Sequence, residues 1–311
     1  MRDKLYLVSF FIISGILLYV GRGLLLDSAL VTLGLTFAGT TAAGVLGLSL
    51  YRVQLELRAS RRELARKQAE LSFAREVQQA LFPQGFPADG GLEFAGVCLP
   101  ASGISGDYFD VLQLPGHRLA FAIADISGKG ISAAILMSNL HAVLRTLASE
   151  GHSPGSLGSR LNSHLHQVTG GLRYATLFYG EWDSATQTLR YINAGHNAPM
   201  LIREKGTCRL PAGSPPVGIF GTGEFPEMSL SLQCGDTLIL FSDGVTDAMN
   251  DREEDFGEPR LETVVLEARD ESLAEIQQRV LKALRDWARG EQEDDMTLLL
   301  VRATKAGKEE S

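Results

Sequence analysis

Two long stretches without a charged side chain open the sequence and set the tightest limit on its fold. Residues 5–21 are 17 uncharged positions and residues 28–50 are 23, with only residues 22–27 between them. A helix needs roughly 20 apolar residues, range about 17–25, to cross a bilayer, so the second run qualifies and the first lies at the lower bound. A membrane hairpin over residues 1–51, with spans at about 5–21 and 28–50, is therefore expected. Arg2 and Lys4 precede the first run, and Arg52, Arg58, Arg61 and Arg62 follow the second. Basic residues favour the cytoplasmic side, which puts both ends there. A signal peptide would explain the first run alone, but a longer apolar run follows instead of a small-residue cleavage site. A buried hairpin of a soluble protein is disfavoured by the length of the second run. Gly34, Ala38 and Ala42 form one row at four-residue steps, and Gly39, Ala43 and Gly47 another. Such rows let helices approach closely in lipid.

Residues 52–82 read as a charged helix, free of glycine and proline until Pro83. Leu57, Leu64 and Leu71 recur at seven-residue steps, but Ser60, Lys67 and Ala74 stand between them. This weak heptad fits a dimerising, signal-transmitting helix or a surface helix packed on the next domain about equally well. Residues 1–51 carry three basic and two acidic side chains and residues 52–82 seven and four, whereas the whole chain is −8. The acidic excess thus lies after residue 82, which argues against contacts with a nucleic-acid backbone. It suits a site that gathers carboxylates around divalent cations. The three cysteines are widely spaced, with no CxxC pair, and read as reduced core residues.

After Pro83 the pattern changes to short apolar strands bounded by glycine and aspartate: 93–99, 119–126, 175–182, 188–193, 237–241 and 297–301. Helical periodicity appears over 132–150, 156–168 and 272–289. Strands with a few long helices among them indicate an α+β domain over 83–303 with an antiparallel sheet, followed by a polar tail at 304–311.

The chemistry gathers at strand ends. The apolar run 119–124 leads into Asp125-Ile126-Ser127-Gly128-Lys129-Gly130, and 238–241 leads into Ser242-Asp243-Gly244. Asp294-Asp295 stands just before 296–301, and Asp107 lies just after the first strand region. Singly, each has a structural explanation, since Asp-Gly makes turns and an aspartate before a helix caps it. Four at strand boundaries can converge without burying unpaired charge if a cation neutralises them. Neither GxxxxGK[ST] nor GxGxxG is present, so nucleotide binding is weakly supported. His164 and His166 fall on different helix faces and make poor joint ligands.

The segments 74–83, 105–110, 125–130, 193–197, 216–218, 241–245 and 294–298 together resemble the PPM-type metal-dependent phosphatases, in the bacterial branch typified by the sporulation phosphatase SpoIIE and the stress-response phosphatase RsbU. The resemblance covers about residues 72–303. It implies a β-sandwich flanked by helices (α-β-β-α) and two Mn²⁺ or Mg²⁺ ions. Asp125 would bridge both metals, with the Ile126 carbonyl on one. Asp243 and Asp294 would hold the second, and Asp107 would complete the cluster directly or through water. An all-oxygen ligand set independently favours such cations over zinc. Ser105 departs from the glycine usual before Gly106-Asp107, and 193–197 is a signature loop without an assigned catalytic role.

The expected function is membrane-anchored serine/threonine phosphatase activity in a bacterial cell membrane, with a cytoplasmic catalytic domain. Two cations would activate water and clamp the phosphoryl group for in-line attack without a phosphoenzyme. By resemblance, the substrate would be a phosphorylated anti-sigma-factor antagonist of the STAS type, and regulation would act through dimerisation or rotation of the preceding helix. The alternatives are a membrane-tethered phosphoprotein-binding module with little turnover and a small-molecule phosphate hydrolase sharing the metal site.

Overall fold

A computed structural model describes residues 2–21, 29–88, 90–288, 290 and 292–304, with the side chains of residues 2–9, 29 and 30 left undescribed. Two compact units divide the chain, residues 1–70 and 71–311. Helix α1, Arg2–Gly21, lies in the first, and α2, Ala29–Gln79, begins in the first and ends in the second. The link at 22–27 and the tail beyond 304 lie outside the described residues.

The second apolar run and the charged linker, read from sequence as separate segments, form one unbroken helix of 51 residues. The physical reason is that the residues around 50–52 include no breaker, and a change from apolar to charged side chains alone does not end a helix. Apolar side chains cover its N-terminal half on the outside: Leu33 is 71% exposed and Phe37 75%. The hydroxyls of Thr36, Thr40 and Thr41 bond back to carbonyls three or four residues earlier, so they ask nothing of the surroundings.

In the second unit the chain forms β1 Leu92–Leu99, β2 Asp107–Leu114, β3 Arg118–Ile126, α3 Ile131–Ser149, α4 Pro154–Thr169, β4 Ala175–Asp183, β5 Thr188–Ala194, β6 Met200–Arg203, β7 Gly206–Arg209, β8 Met228–Ser231, β9 Thr237–Phe241, α5 Asp243–Thr246, α6 Gly257–Glu267, α7 Leu273–Trp287 and β10 Met296–Ala303. Two five-stranded sheets result, ordered β1-β10-β9-β6-β7 and β2-β3-β4-β5-β8, and neighbouring strands in both run antiparallel.

The sheets face each other across Phe109, Phe121, Phe178, Leu240 and Leu299. Alternation along β3 decides which residues point there. Phe121 and Ile123 turn into the sandwich, while Ala120, Ala122 and Ala124 face a second core built by Met137, Leu140 and Leu144 of α3 and Leu157 and Leu161 of α4. The small alanines let that helix layer sit close. On the far side of the other sheet, Ile239, Phe241, Leu298 and Leu300 pack against Leu261 of α6 and Ile276, Val280 and Leu284 of α7. The order helix, sheet, sheet, helix is the α-β-β-α architecture expected from sequence. Helix α3 is long and apolar enough, by length and composition, to cross a membrane. Its apolar stripe packs on the sheet instead, so it is a core helix.

Capping fixes the helix ends. Ser153 accepts from the Ser156 amide ahead of Pro154 at the start of α4, and Gly170 closes that helix in the left-handed conformation. Ser272 and Glu275 form a reciprocal capping box on α7.

Candidate active site

Strand register brings the four aspartates to one end of the sandwich. Asp107 opens β2 and pairs directly with Asp125 near the end of β3. In the other sheet Asp243 follows β9, and Asp294 precedes β10 with Asp295 between. The antiparallel pairing of Leu298 with Phe241 sets those two ends side by side.

The loops that carry them are tied by hydrogen bonds that sequence reading did not identify. The Asp295 carboxylate accepts from the Ala101 and Gly106 amides at 2.8 and 2.7 Å, so this half of the acidic doublet is a clamp on the turn before Asp107. Ser242 Oγ donates to the Asp295 carbonyl and accepts from the Thr297 amide. A Cβ on Gly244 would overlap the Asp295 carbonyl, so only glycine lets the chain after β9 pass this close. Gly244→Ala is expected to force that loop outward and cost about 1–3 kcal/mol. A thermal melt with a parallel activity assay reads both consequences; an unchanged melt would contradict the close approach.

Ser105, the departure from the expected glycine, is fully buried and accepts from the Asp107 amide at 3.0 Å. Its own amide and carbonyl are held by Gln78 of α2, whose side-chain oxygen and nitrogen each lie 2.8 Å away. The last turn of α2 therefore grips the residue two before Asp107. Gln78 was hidden from sequence reading because a glutamine in a charged helix looks solvated. Cys98 Sγ reaches Ser105 Oγ at 3.4 Å, and burial, more than the Asp107 charge, pushes its thiol up to about 12.

Burial and the charges of their acidic neighbours shift these carboxylates. Burial first, then the Asp125 charge, holds Asp107 well above the usual carboxylate range. Asp125 is pushed up to about 7 by burial and then by Asp243, Asp294 and Asp295. Asp243 is raised by partial burial and by Asp294 and Asp247. Lys129 Nζ meets Asp294 Oδ2 at 2.9 Å and donates to the Glu293 carbonyl, joining the loop after β3 to the loop before β10. Its hydrogen bond to Asp294 raises the lysine further.

Among the described residues no three histidine, cysteine, aspartate or glutamate side chains are drawn together tightly enough to hold an ion as they stand. Asp295 and Asp294 each have another partner: the Ala101 and Gly106 amides hold Asp295, and Lys129 pairs with Asp294. The donor set nevertheless fits a hard cation. Asp107 Oδ2 is buried without a hydrogen-bond partner, and the Ile126 carbonyl faces Gly106, where a Cβ would stand 3.3 Å away. Mutually repelling carboxylates with an orphaned buried oxygen are what a divalent cation would relieve.

The loop at 193–197 is structural. Asn193 Oδ1 accepts from the His196 amide, its Nδ2 donates to the Leu210 carbonyl, and its carbonyl accepts from Gly213 and Ser214. Gly195 has φ +67°, and a Cβ there would stand 2.5 Å from Pro216. His196 Nδ1 meets Thr176, which pairs with Asp125 across β4 and β3. Burial pushes His196 down to about 4. The unfolded chain therefore binds the extra proton between about pH 6.5 and 4, and the fold loses about 3 kcal/mol over that window as pH falls. Chemical denaturation at pH 7 and pH 5 is expected to show a shallower loss in His196→Gln; equal losses would contradict it. His164 and His166 bond separately, to Asn139 and to the Gly218 carbonyl, as their spacing implied.

Residues 115–304 match the family model described as Stage II sporulation protein E (SpoIIE), 190 of the 311 positions. The chain belongs to the SpoIIE family. Among SpoIIE-family relatives, phosphoserine phosphatase RsbP of Bacillus subtilis (strain 168) is 33% identical over 183 residues, which is 57% of this chain and 45% of RsbP. Phosphoserine phosphatase RsbU of the same strain is 28% identical over 255 residues, 81% of this chain and 74% of RsbU. This chain thus spans less than half of one curated relative and about three quarters of the other. The SiaA-PP2C domain of Pseudomonas aeruginosa superimposes with TM-score 0.70 at 17% identity, covering 77% of this chain and 98% of that domain. RsbX, solved in complex with magnesium, gives TM-score 0.55 at 16% identity, covering 71% of this chain and 99% of its own. The SpoIIE-family chain therefore carries a PP2C-type fold.

Proposed function

We propose that this chain is a metal-dependent protein phosphatase acting on phosphoserine or phosphothreonine, held at a bacterial membrane by α1 and the apolar half of α2. The observation that carries the reading is the meeting of Asp107, Asp125, Asp243 and Asp294 at one end of the sandwich in a family whose relatives include phosphoserine phosphatases. Asp125, the Ile126 carbonyl, Asp243 and Asp294 would hold two Mn²⁺ or Mg²⁺ ions, with Asp107 completing the set. Such ions supply charge neutralisation and Lewis acidity for the attack of water on phosphorus.

The chain's own residues do the rest. The Asp295 clamp, the Ser242 bonds and the Gln78 grip fix where the four carboxylates stand, and Lys129 bridges the two loops beside them. Fixed positions matter because phosphoryl transfer depends mostly on alignment and charge. Gln78→Ala leaves the buried Ser105 amide and carbonyl unpaired, with an expected cost of about 1–3 kcal/mol and a several-fold loss of phosphate release. Retention of wild-type activity and melting temperature would contradict that role.

The membrane anchor rests on outward apolar side chains over a length that suits a bilayer. Partition of the full-length chain into membranes that resists carbonate extraction is expected; release into the soluble fraction would overturn it. The proposed substrate is a STAS-type anti-sigma-factor antagonist, with dimerisation or rotation of α2 as the control. A phosphoproteomic comparison of wild-type and Asp125→Asn cells tests the substrate: one regulatory protein should accumulate its phosphorylated form.

A further inference from the structure

A cleft of about 880 Å³ opens directly beside Asp294 and Lys129. One wall is the loop after α5, with Asp247, Met249, Asp251 and Glu253, and Ala288, Gly290 and Gln292 also line the cleft. The volume falls in the range of pockets that enclose whole ligands, roughly 300–1,000 Å³, and greatly exceeds what one phosphate fills. It suits several residues of extended polypeptide.

The first wall is preformed. Asn250 Oδ1 accepts from the Arg252 and Glu254 amides, its own amide donates to the Glu254 carbonyl, and Trp287 Nε1 also donates to that carbonyl. This closed turn leaves Asp251 and Glu253 exposed, and no hydrogen bond or ion pair engages either carboxylate among the described residues. Met249 is 47% exposed on the same wall, an apolar surface for an aliphatic stem. Lys129 is the cation lining the cleft among the described residues, and Asp294 already engages it. An open, acidic groove with an apolar contact, joined to the candidate catalytic carboxylates, is complementary to a chain bearing lysine or arginine.

We propose that this cleft receives the polypeptide flanking the phosphorylated residue and selects basic side chains there. The proposal rests on the phosphatase reading above and names the substrate class that site prefers.

The test uses the full-length chain, p-nitrophenyl phosphate, and two phosphoserine peptides that differ only in carrying lysines or glutamates beside the phosphoserine. The wild type is expected to favour the basic peptide through KM, with kcat little changed. The double substitution Asp251→Lys and Glu253→Lys is expected to lower kcat/KM on the basic peptide roughly fivefold and to raise it on the acidic one, as two exposed ion pairs allow. A gain on the acidic peptide is a readout that a misfolded variant would not give. Wild-type turnover of both peptides without preference, or the same preference in the double variant, overturns the cleft's role and leaves the phosphatase reading standing. Failure of the wild type to release phosphate from any of the three overturns both.

Discussion

Asp125→Asn is expected to lower phosphate release from a phosphoserine peptide by a factor on the order of 10²–10³, the scale of losing several kcal/mol of transition-state charge stabilisation. The side chain keeps its size, so packing at the end of β3 is unchanged, but the charge that would hold cations is gone. Stability should move the other way. Asp125 is pushed up to about 7 by burial and by its acidic neighbours, which means that its ionised form is disfavoured in the fold. A carboxylate raised in this way binds more protons folded than unfolded, so its contribution to stability declines as pH rises from its ordinary value of 3.8 toward about 7. Above that window the neutral asparagine removes a repulsion. At pH 8 and without added metal, the variant is expected to melt higher than the wild type. Added Mn²⁺ should then raise the wild-type melting temperature and leave the variant little changed. A variant that stays active, or that gains as much from Mn²⁺ as the wild type, would contradict the assignment.

The second large effect is structural. Arg145→Ala should cost about 3–5 kcal/mol, because it strands a charge inside the domain. Asp110 is completely buried on β2, three residues after Asp107. Its carboxylate takes a bidentate pair from Arg145 of α3 at 2.7 and 2.8 Å, plus the Tyr108 hydroxyl at 2.7 Å. The Tyr108 hydroxyl is itself raised well above its ordinary range by burial and then by that carboxylate. The arginine is 43% exposed, which puts the expected value at the low end of the range. Arg145→Met combined with Asp110→Leu should recover much of the loss, since replacing a buried pair by apolar groups costs far less than breaking it. Denaturant unfolding of both variants checks this; a single variant as stable as the double one would contradict it. Because α3 follows directly from the Asp125–Gly130 loop, the ion pair also fixes that helix against the strand carrying Asp107.

Much of this fold was legible in sequence because its strands are buried runs between glycine and aspartate and two of its long helices, α4 and α7, carry capping serines. All six expected strands form, with ends shifted by a residue or two. The missed strands have specific causes. Strand β2 begins at Asp107 itself, so a residue taken for a loop ligand is also the first strand residue. Strands β6, β7 and β8 have four residues each, too few for a period of two to stand out. The break expected between the second apolar run and the linker does not occur, since the composition changes there while helix propensity does not. At the site, the four aspartates were visible because each interrupts an apolar pattern. Asp295, Gln78, Ser242 and Lys129 were not, because their roles lie in contacts between distant segments: Gln78 and Ser105 are 27 residues apart, and Gly106 and Asp295 are 189. No local periodicity encodes such a contact.

The central claim is that these carboxylates make a metal-dependent phosphatase, and the release of inorganic phosphate from a phosphoserine peptide by the full-length chain tests it most directly. The expected result is release that requires added Mn²⁺ or Mg²⁺, stops on chelation and returns when the ion is restored. Release at an undiminished rate in the chelator, or none with either ion present, would contradict the account.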